Sequence, residues 1–150
     1  MAYDYPYTGF HFQVVFGIEG AGGEISFQSV KGLEVQLETE TLKEGGILSH
    51  EHVLPVRAKF NPLILERGVF KPQDSAIITW CKKALFDFTF NPTTVTISLL
   101  NESHTPLITW NLRHVWPKSW KVKDLNAQQG EVLIETLELN YNAFTVSQQG

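Results

Sequence analysis

A period-two alternation of apolar and polar residues, recurring along the chain, constrains this sequence more than any other feature. Phe10, Phe12, Val14, Phe16 and Ile18 hold one parity at the start. Successive side chains of an extended strand point to opposite faces, so such a run buries one face and leaves the other to water or a partner. Ile25 to Val30 resumes the pattern between a Gly20-Ala21-Gly22-Gly23 turn and a Lys31-Gly32 break. Leu33, Val35 and Leu37 then alternate with Glu34, Gln36, Glu38 and Glu40, which predicts a strand with one wet, acidic face. Gly45-Gly46 opens an irregular stretch running to about Pro55, inside a long arm or loop over about residues 39–57. Arg57 to Leu65 reads as one strand in which Pro62 requires an edge or a bulge. Val95, Ile97 and Leu99 form a hairpin with Ile108, Trp110 and Leu112 across the turn Asn101-Glu102-Ser103-His104, and Pro117 ends the return strand.

The final strand, from Glu131 to about Val146, changes phase. Val132 and Ile134 share one parity, whereas Leu137, Leu139 and Tyr141 hold the other. A bulge near Glu135-Thr136 reconciles them and is the preferred reading. The alternative turns Glu135 inward, where it needs a cationic partner such as Arg57, Arg67 or Arg113.

One helix interrupts the strands, over about residues 75–86. Asp74 or Ser75 supplies its N-cap, and Ile77, Cys81, Ala84 and Leu85 make its apolar face. Lys82 and Lys83 fall near its C-terminal end, where the helix dipole favours cations. With 150 residues, one domain spanning 1–150 is expected. The strand count points to a mainly β sandwich or barrel with one flanking α-helix.

Charge and composition exclude several classes of function. Net charge is -4, which argues against nucleic-acid binding through a broad basic face. The single cysteine, Cys81, excludes an intrachain disulfide framework and a CxxC zinc site. No apolar run is long enough to span a membrane, and the start lacks the basic and apolar regions of a secretory signal, so no membrane anchor and cytoplasmic assembly are expected. His50 and His52 form an HxH pair, but their stretch reads as a solvated loop without a clear third ligand. Cys81 reads as a buried structural thiol. Glu34, Glu38 and Glu40 alternate on a wet face and lack the desolvation that acid–base catalysis needs. No glycine pattern cradles a phosphate. Trp80, Trp110, Trp116 and Trp120 read as core and interface residues. No enzyme, cofactor or metal site is expected.

Several stretches together resemble the tail tube proteins of contractile phage tails and of extracellular contractile injection systems, the phage T4-like tail tube family. Tyr5-Pro6 followed by Phe10-His11-Phe12-Gln13-Val14 resembles the family's opening strand. Phe27-Gln28-Ser29-Val30-Lys31-Gly32-Leu33 resembles its turn into the second strand. Leu63-Ile64-Leu65-Glu66-Arg67-Gly68-Val69-Phe70 is similar to its L-x-R-G element, and Trp80 falls where the family helix has a Trp. Leu99-Leu100-Asn101-Glu102, the Trp110 to Pro117 strand, Leu125-Asn126-Ala127 and Glu135-Thr136-Leu137-Glu138-Leu139 extend the likeness over nearly the whole chain.

The resemblance implies two packed antiparallel sheets with a flanking helix. It further implies hexameric rings whose sheets join into one inner barrel and stack into a hollow tube. A sheath would surround the tube, with baseplate, spike and terminator proteins at its ends. Cargo or DNA would pass without specific binding. On that footing Glu34, Gln36, Glu38 and Glu40 are candidates for the lumen face. Lys43, Glu44, His50, His52, Leu54 and Arg57 are candidates for an arm reaching a neighbour. Glu66, Arg67, Phe70 and Glu135 are candidates for inter-ring contact or packing. A baseplate-proximal tube-initiation paralog and a small-ligand β-barrel carrier are the alternative readings, the bulk tube subunit being preferred as the commoner member.

Overall fold

A computed structural model describes residues 11–19, 27–43, 51–69, 75–123 and 133–148. The elements are β1 (His11–Phe16), β2 (Ser29–Lys31), β3 (Val35–Lys43), β4 (Glu51–Phe60), β5 (Leu63–Val69), α1 (Ala76–Asp87), β6 (Thr93–Leu100), β7 (Pro106–Val122), β8 (Leu133–Asn140) and β9 (Ala143–Gln148). One sheet runs in the order β1-β6-β7-β8-β5-β2, with β9 also on β7, and β3 pairs with β4 in a separate two-stranded sheet. The pairings are antiparallel, as the alternation requires where one face is buried and the other is not.

Strand β7 runs for 17 residues and serves two neighbourhoods. Its first part pairs with β6 on one side and β9 on the other, and from Trp116 onward it pairs with β8. Between these parts Val95 faces Leu112 but Thr93 faces Val115, so β7 inserts an extra residue. His114 takes φ 57° at that point. A bulge of this kind bends a strand and re-aims its side chains, which lets one strand bridge two packed surfaces.

The expected hairpin of β6 and β7 is present, but Pro117 does not end its second strand. Pro117 stands opposite Leu139, and the register shifts between Pro117 and Ser119. A missing backbone N–H is tolerated at such an irregularity. The last strand is two strands, broken at Tyr141-Asn142, because the chain moves from one part of β7 to the other. The strand expected over Arg57 to Leu65 is likewise two. Asn61-Pro62 separates β4, in the small sheet, from β5, in the large one. Residues 51–55, expected to be irregular, belong to β4. Glu44, Gly45, Gly46, His50, Phe70 and Val132 lie outside the described residues.

Inward residues of both neighbourhoods meet in one core. Val14, Phe16, Val95, Ile97, Leu112 and Val115 face Leu63, Leu65, Leu137 and Leu139, with Phe27 beside them. Each such side chain contributes about 1.5–3 kcal/mol through burial. Helix α1 adds Ile77, Trp80 and Cys81 to the same core. Ser75 is the cap, its Oγ accepting from the Ile78 N–H at 3.2 Å. The Trp80 indole donates to the Asn91 carbonyl at 2.7 Å, and the Phe16 ring meets it edge-on. Leu85, expected on the apolar face, is about one-third exposed, and Lys82 and Lys83 fall short of the last turn.

The small sheet joins the body at a tightly fixed corner. The Tyr141 hydroxyl donates to the Asn61 carbonyl at 2.6 Å, with the Gly32 carbonyl at 3.4 Å. Gly32 has φ +94°, and a Cβ there would sit 1.9 Å from the Pro62 carbonyl oxygen. Only glycine accepts both the dihedral and the approach. Gly32→Ala is therefore expected to destabilise the chain by roughly 2–3 kcal/mol or more. Urea denaturation checks this; an unchanged midpoint would show that the corner is not fixed by this contact.

Candidate functional site

The β3–β4 ribbon carries half of the residues singled out for assembly. The arm expected as a loop is thus a β-hairpin, with a register shift between Glu38 and Thr39 where Val56 is the extra residue. Cross-strand pairs divide its faces. Gln36 with Lys59, Glu38 with Arg57, Glu40 with Leu54 and Leu42 with His52 share one face. Val35 with Phe60, Leu37 with Ala58, Thr39 with Pro55 and Thr41 with Val53 share the other, and Lys43 is the last residue of β3.

The polar face is less acidic than the sequence suggests. Arg57 Nε lies 3.0 Å from a Glu38 carboxylate oxygen, and Lys59 stands across from Gln36. Such an exposed pair is worth only about 0.2–1 kcal/mol, but it halves the local charge. Gln36, Glu38 and Glu40 are brought together on this face. Glu34 is not part of β3, and its carboxylate accepts from Asn61 Nδ2 at 2.9 Å, beside the corner. At its base the other face docks on the body, where Phe60 packs edge-on against Phe144 at 5.0 Å and Tyr141 at 6.0 Å. Val35, Leu37 and Val53 on this face and Val56 at the bulge are exposed, and so are Leu42 and Leu54 on the polar face.

Glu135 corrects the preferred reading of the last described strands. β8 pairs with β5 without a shift, so no bulge separates Glu135 from Leu137, and Glu135 points inward with Leu137 and Leu139. Its partner is Arg67, directly opposite on β5, whose Nε donates to Glu135 Oε2 at 2.8 Å. Their side chains are only 12% and 10% exposed. Within the single chain both side chains are taken up by this pair. Glu66, facing Thr136, points to the opposite side of β5.

Burial pushes the Cys81 thiol up to about 12; Arg67 lowers it and Glu135 raises it further. A neutral thiol in the core is a poor nucleophile. Burial also pushes the Tyr141 hydroxyl up to about 12, consistent with its role as a donor. Among the described residues no group of three or more His, Cys, Asp or Glu could hold a metal ion, and no helix is long and apolar enough to cross a membrane. Beside α1, Ile18, Trp80 and Pro92 line an open surface groove of about 400 Å³.

Two arrangements escaped sequence reasoning. His11 Nε2 and His104 Nδ1 lie 2.7 Å apart, joining β1 to the β6–β7 turn. Nothing local links residues so distant in sequence. The other is a run of exposed rings at Phe86, Phe88 and Phe90, of which Phe88 and Phe90 touch edge-on. Its signal was legible, since three phenylalanines alternate directly after an apolar helix face.

The family model described as T4-like virus tail tube protein gp19 matches residues 8–145. Among solved structures, a chain of the anti-feeding prophage baseplate, 6-fold symmetrised, is similar with a TM-score of 0.80 and 30% identity, over 99% of this chain and 98% of that one. A chain of the PVC sheath–tube complex, an extracellular contractile injection system in its extended state, gives 0.79 and 22%, over 97% and 94%. A chain of the anti-feeding prophage tube-terminating cap gives 0.80 and 22%, over 99% and 95%. No curated protein matches the sequence.

The ion pair and the raised groups yield two expectations. Arg67→Met strands a buried carboxylate and should destabilise by about 3–5 kcal/mol, whereas adding Glu135→Leu should restore most of that loss. A double-mutant cycle in urea tests the pair; additive single effects would refute the coupling. Cys81 and Tyr141 hold their protons more tightly folded than unfolded, where their values are 9.0 and 10.0. Their contribution is therefore complete below about pH 9 and is lost as pH rises toward about 12. Denaturation midpoints should fall over that window, and less steeply in a Cys81→Ala, Tyr141→Phe variant.

Proposed function

The chain belongs to the T4-like virus tail tube protein family, and from that membership we propose that it is a structural subunit of the inner tube of a contractile tail or injection particle. The observation that carries the reading is likeness along nearly the whole chain, at 30% identity, to a chain of a 6-fold symmetrised contractile-particle baseplate. In this reading six copies close a ring, rings stack into a hollow tube, and a sheath surrounds them. Assembly takes place in the cytoplasm, and the finished subunit is part of the particle.

The physical chemistry supports such a role. β1 and β2 end the described sheet order, leaving edges that a ring of copies would pair. The hairpin of β3 and β4 is a two-stranded ribbon, a form that is marginal in water until something covers it. Its polar face, with Gln36, Glu38 and Glu40, is the candidate lumen wall. Arg57 and Lys59 offset the Glu38 and Glu40 carboxylates and make that wall a surface of little net charge, along which cargo or DNA slides without sticking. The carrier alternative loses ground, because Leu63, Leu65, Leu112 and Leu139 fill the interior that a ligand would need.

One observation raises the baseplate-proximal position as a second reading. Of two anti-feeding prophage chains, the baseplate chain is 30% identical and the cap chain 22%. A first ring laid on the baseplate would carry the same fold while differing in sequence from the rings above it. Copy number separates the positions: six copies per native particle mark a single ring, and a number near that of the sheath subunit marks the bulk tube.

Negative-stain electron microscopy across protein concentration tests the main reading, with hollow rings or stacked tubes as the expected result. Replacing residues 39–56 with an Asn-Gly turn joins Glu38 to Arg57, which face each other, and should leave a folded monomer. Tubes formed as readily by that variant would remove the hairpin from assembly. Glu38→Lys with Glu40→Lys should alter cargo passage while rings still form; loss of assembly alone would place these residues in an interface instead.

A further inference from the structure

Helix α1 ends on a residue that contradicts its own backbone. Phe88 takes φ 54° and ψ 32°, the left-handed conformation, and its N–H and that of Thr89 both go to the Lys83 carbonyl. That position in a helix C-cap suits glycine, because a Cβ crowds the backbone there. Phenylalanine also places its ring in water, at 82% exposure, and Phe86 beside it is 72% exposed. Strain and apolar exposure at one residue bring no benefit within a single chain.

The rings form a braced ridge. Phe88 meets Phe90 edge-on at 4.9 Å, and Phe90 meets Trp116 edge-on at 5.9 Å. Phe88 and Phe90 touch, and together they expose roughly 200–300 Å² of apolar surface, with Phe86 exposed two positions earlier. Bracing against Trp116 lowers the conformational entropy lost when a partner covers them.

The chain carries a second apolar surface, of different shape. Val35, Leu37 and Val53 line one face of the hairpin, with Val56 at its bulge, and Leu37 and Val53 are 61% and 62% exposed. Within one chain β3 and β4 pack extensively only on each other, and α1 packs on β7. We propose that the Phe86–Phe90 ridge of one copy seats on the apolar face of the β3–β4 hairpin of a second copy. The proposal rests on the tube-subunit reading and names the contact that reading leaves open. A ridge and a flat ribbon are not self-complementary, so the contact is head-to-tail and propagates from copy to copy. Its area falls below the roughly 800 Å² per partner of a stable pair, so it adds to the strand-edge contacts of an assembly and does not by itself make a dimer. It also leaves Gln36, Glu38 and Glu40, on the opposite face, in water.

Cysteine pairs test the contact in the full chain. Phe88→Cys combined with Leu37→Cys, treated with a short bismaleimide after concentration, should give a ladder of covalent oligomers. Each single variant should give dimers at most, because native Cys81 is buried and neutral. A ladder together with hollow particles supports the seat and the tube. A ladder without hollow particles supports the seat and counts against the tube. Hollow particles without a ladder overturn the seat and leave the tube standing. A protein that stays monomeric and gives no ladder counts against both. A second variant separates folding from docking. Phe88→Gly suits the left-handed backbone, so the monomer's melting temperature should hold or rise by about 2–4 °C, while the concentration needed for assembly rises at least about tenfold. Lowered thermal stability with unchanged assembly would refute the proposal.

Discussion

The fold depends on β7 belonging to two neighbourhoods at once. A 17-residue strand with a bulge at its middle lets β6 and β9 use its first part and β8 its second. Because the pleat has period two, the extra residue at His114 resets which side chains point inward. Leu112 and Val115 are thus both fully buried although three positions apart. The core between β1, β6, β5 and β8 follows from that bend, and α1 closes it with Trp80 and Cys81.

Within this frame the molecule separates a closed interior from an open exterior. Inside, every large apolar chain is packed, and the one buried carboxylate, among the described residues, has its cation directly opposite. A buried pair of this sort is weak support for stability, because desolvation offsets most of the attraction. It does fix register: slipping β8 by one residue against β5 would part Arg67 from Glu135 and turn a charge into the core. Outside, the hairpin leaves the body at the Gly32, Asn61, Pro62 and Tyr141 corner. It holds its strands in the open with one polar and one apolar face, and the phenylalanines after α1 stand in water on a strained turn. A monomeric carrier has no use for surfaces of this kind, whereas a subunit that is completed by its neighbours does.

The polar stripe shows how the charge of a face can be misjudged from one strand alone. Glu38 and Glu40 alternate on β3, and the sequence around them suggests an acidic wall. The pairing partners come from β4, and they bring Arg57 and Lys59. Charge on a sheet face is a property of two strands and their register, so a single segment gives half of it. The same holds for Glu135, whose parity conflict was visible locally while its resolution depended on which arginine stood across the ladder. Of the candidates Arg57, Arg67 and Arg113, only the strand order selects Arg67.

By itself the sequence determined the strand-rich class, the helix with a cap at Asp74 or Ser75, the β6–β7 hairpin and the family likeness. Each rests on local alternation, capping chemistry or the order of short motifs, which neighbouring residues carry between them. Tertiary structure decided where strands break and which sheet each joins. Pro62 and Tyr141-Asn142 look like minor interruptions in sequence, yet they mark where the chain exchanges one partner for another. It also decided that Pro117 stays within a strand, that Glu135 turns inward, and that the arm is a paired ribbon. These outcomes depend on hydrogen-bond partners many residues away, and a backbone donor or a buried charge is satisfied only by what the fold brings opposite it.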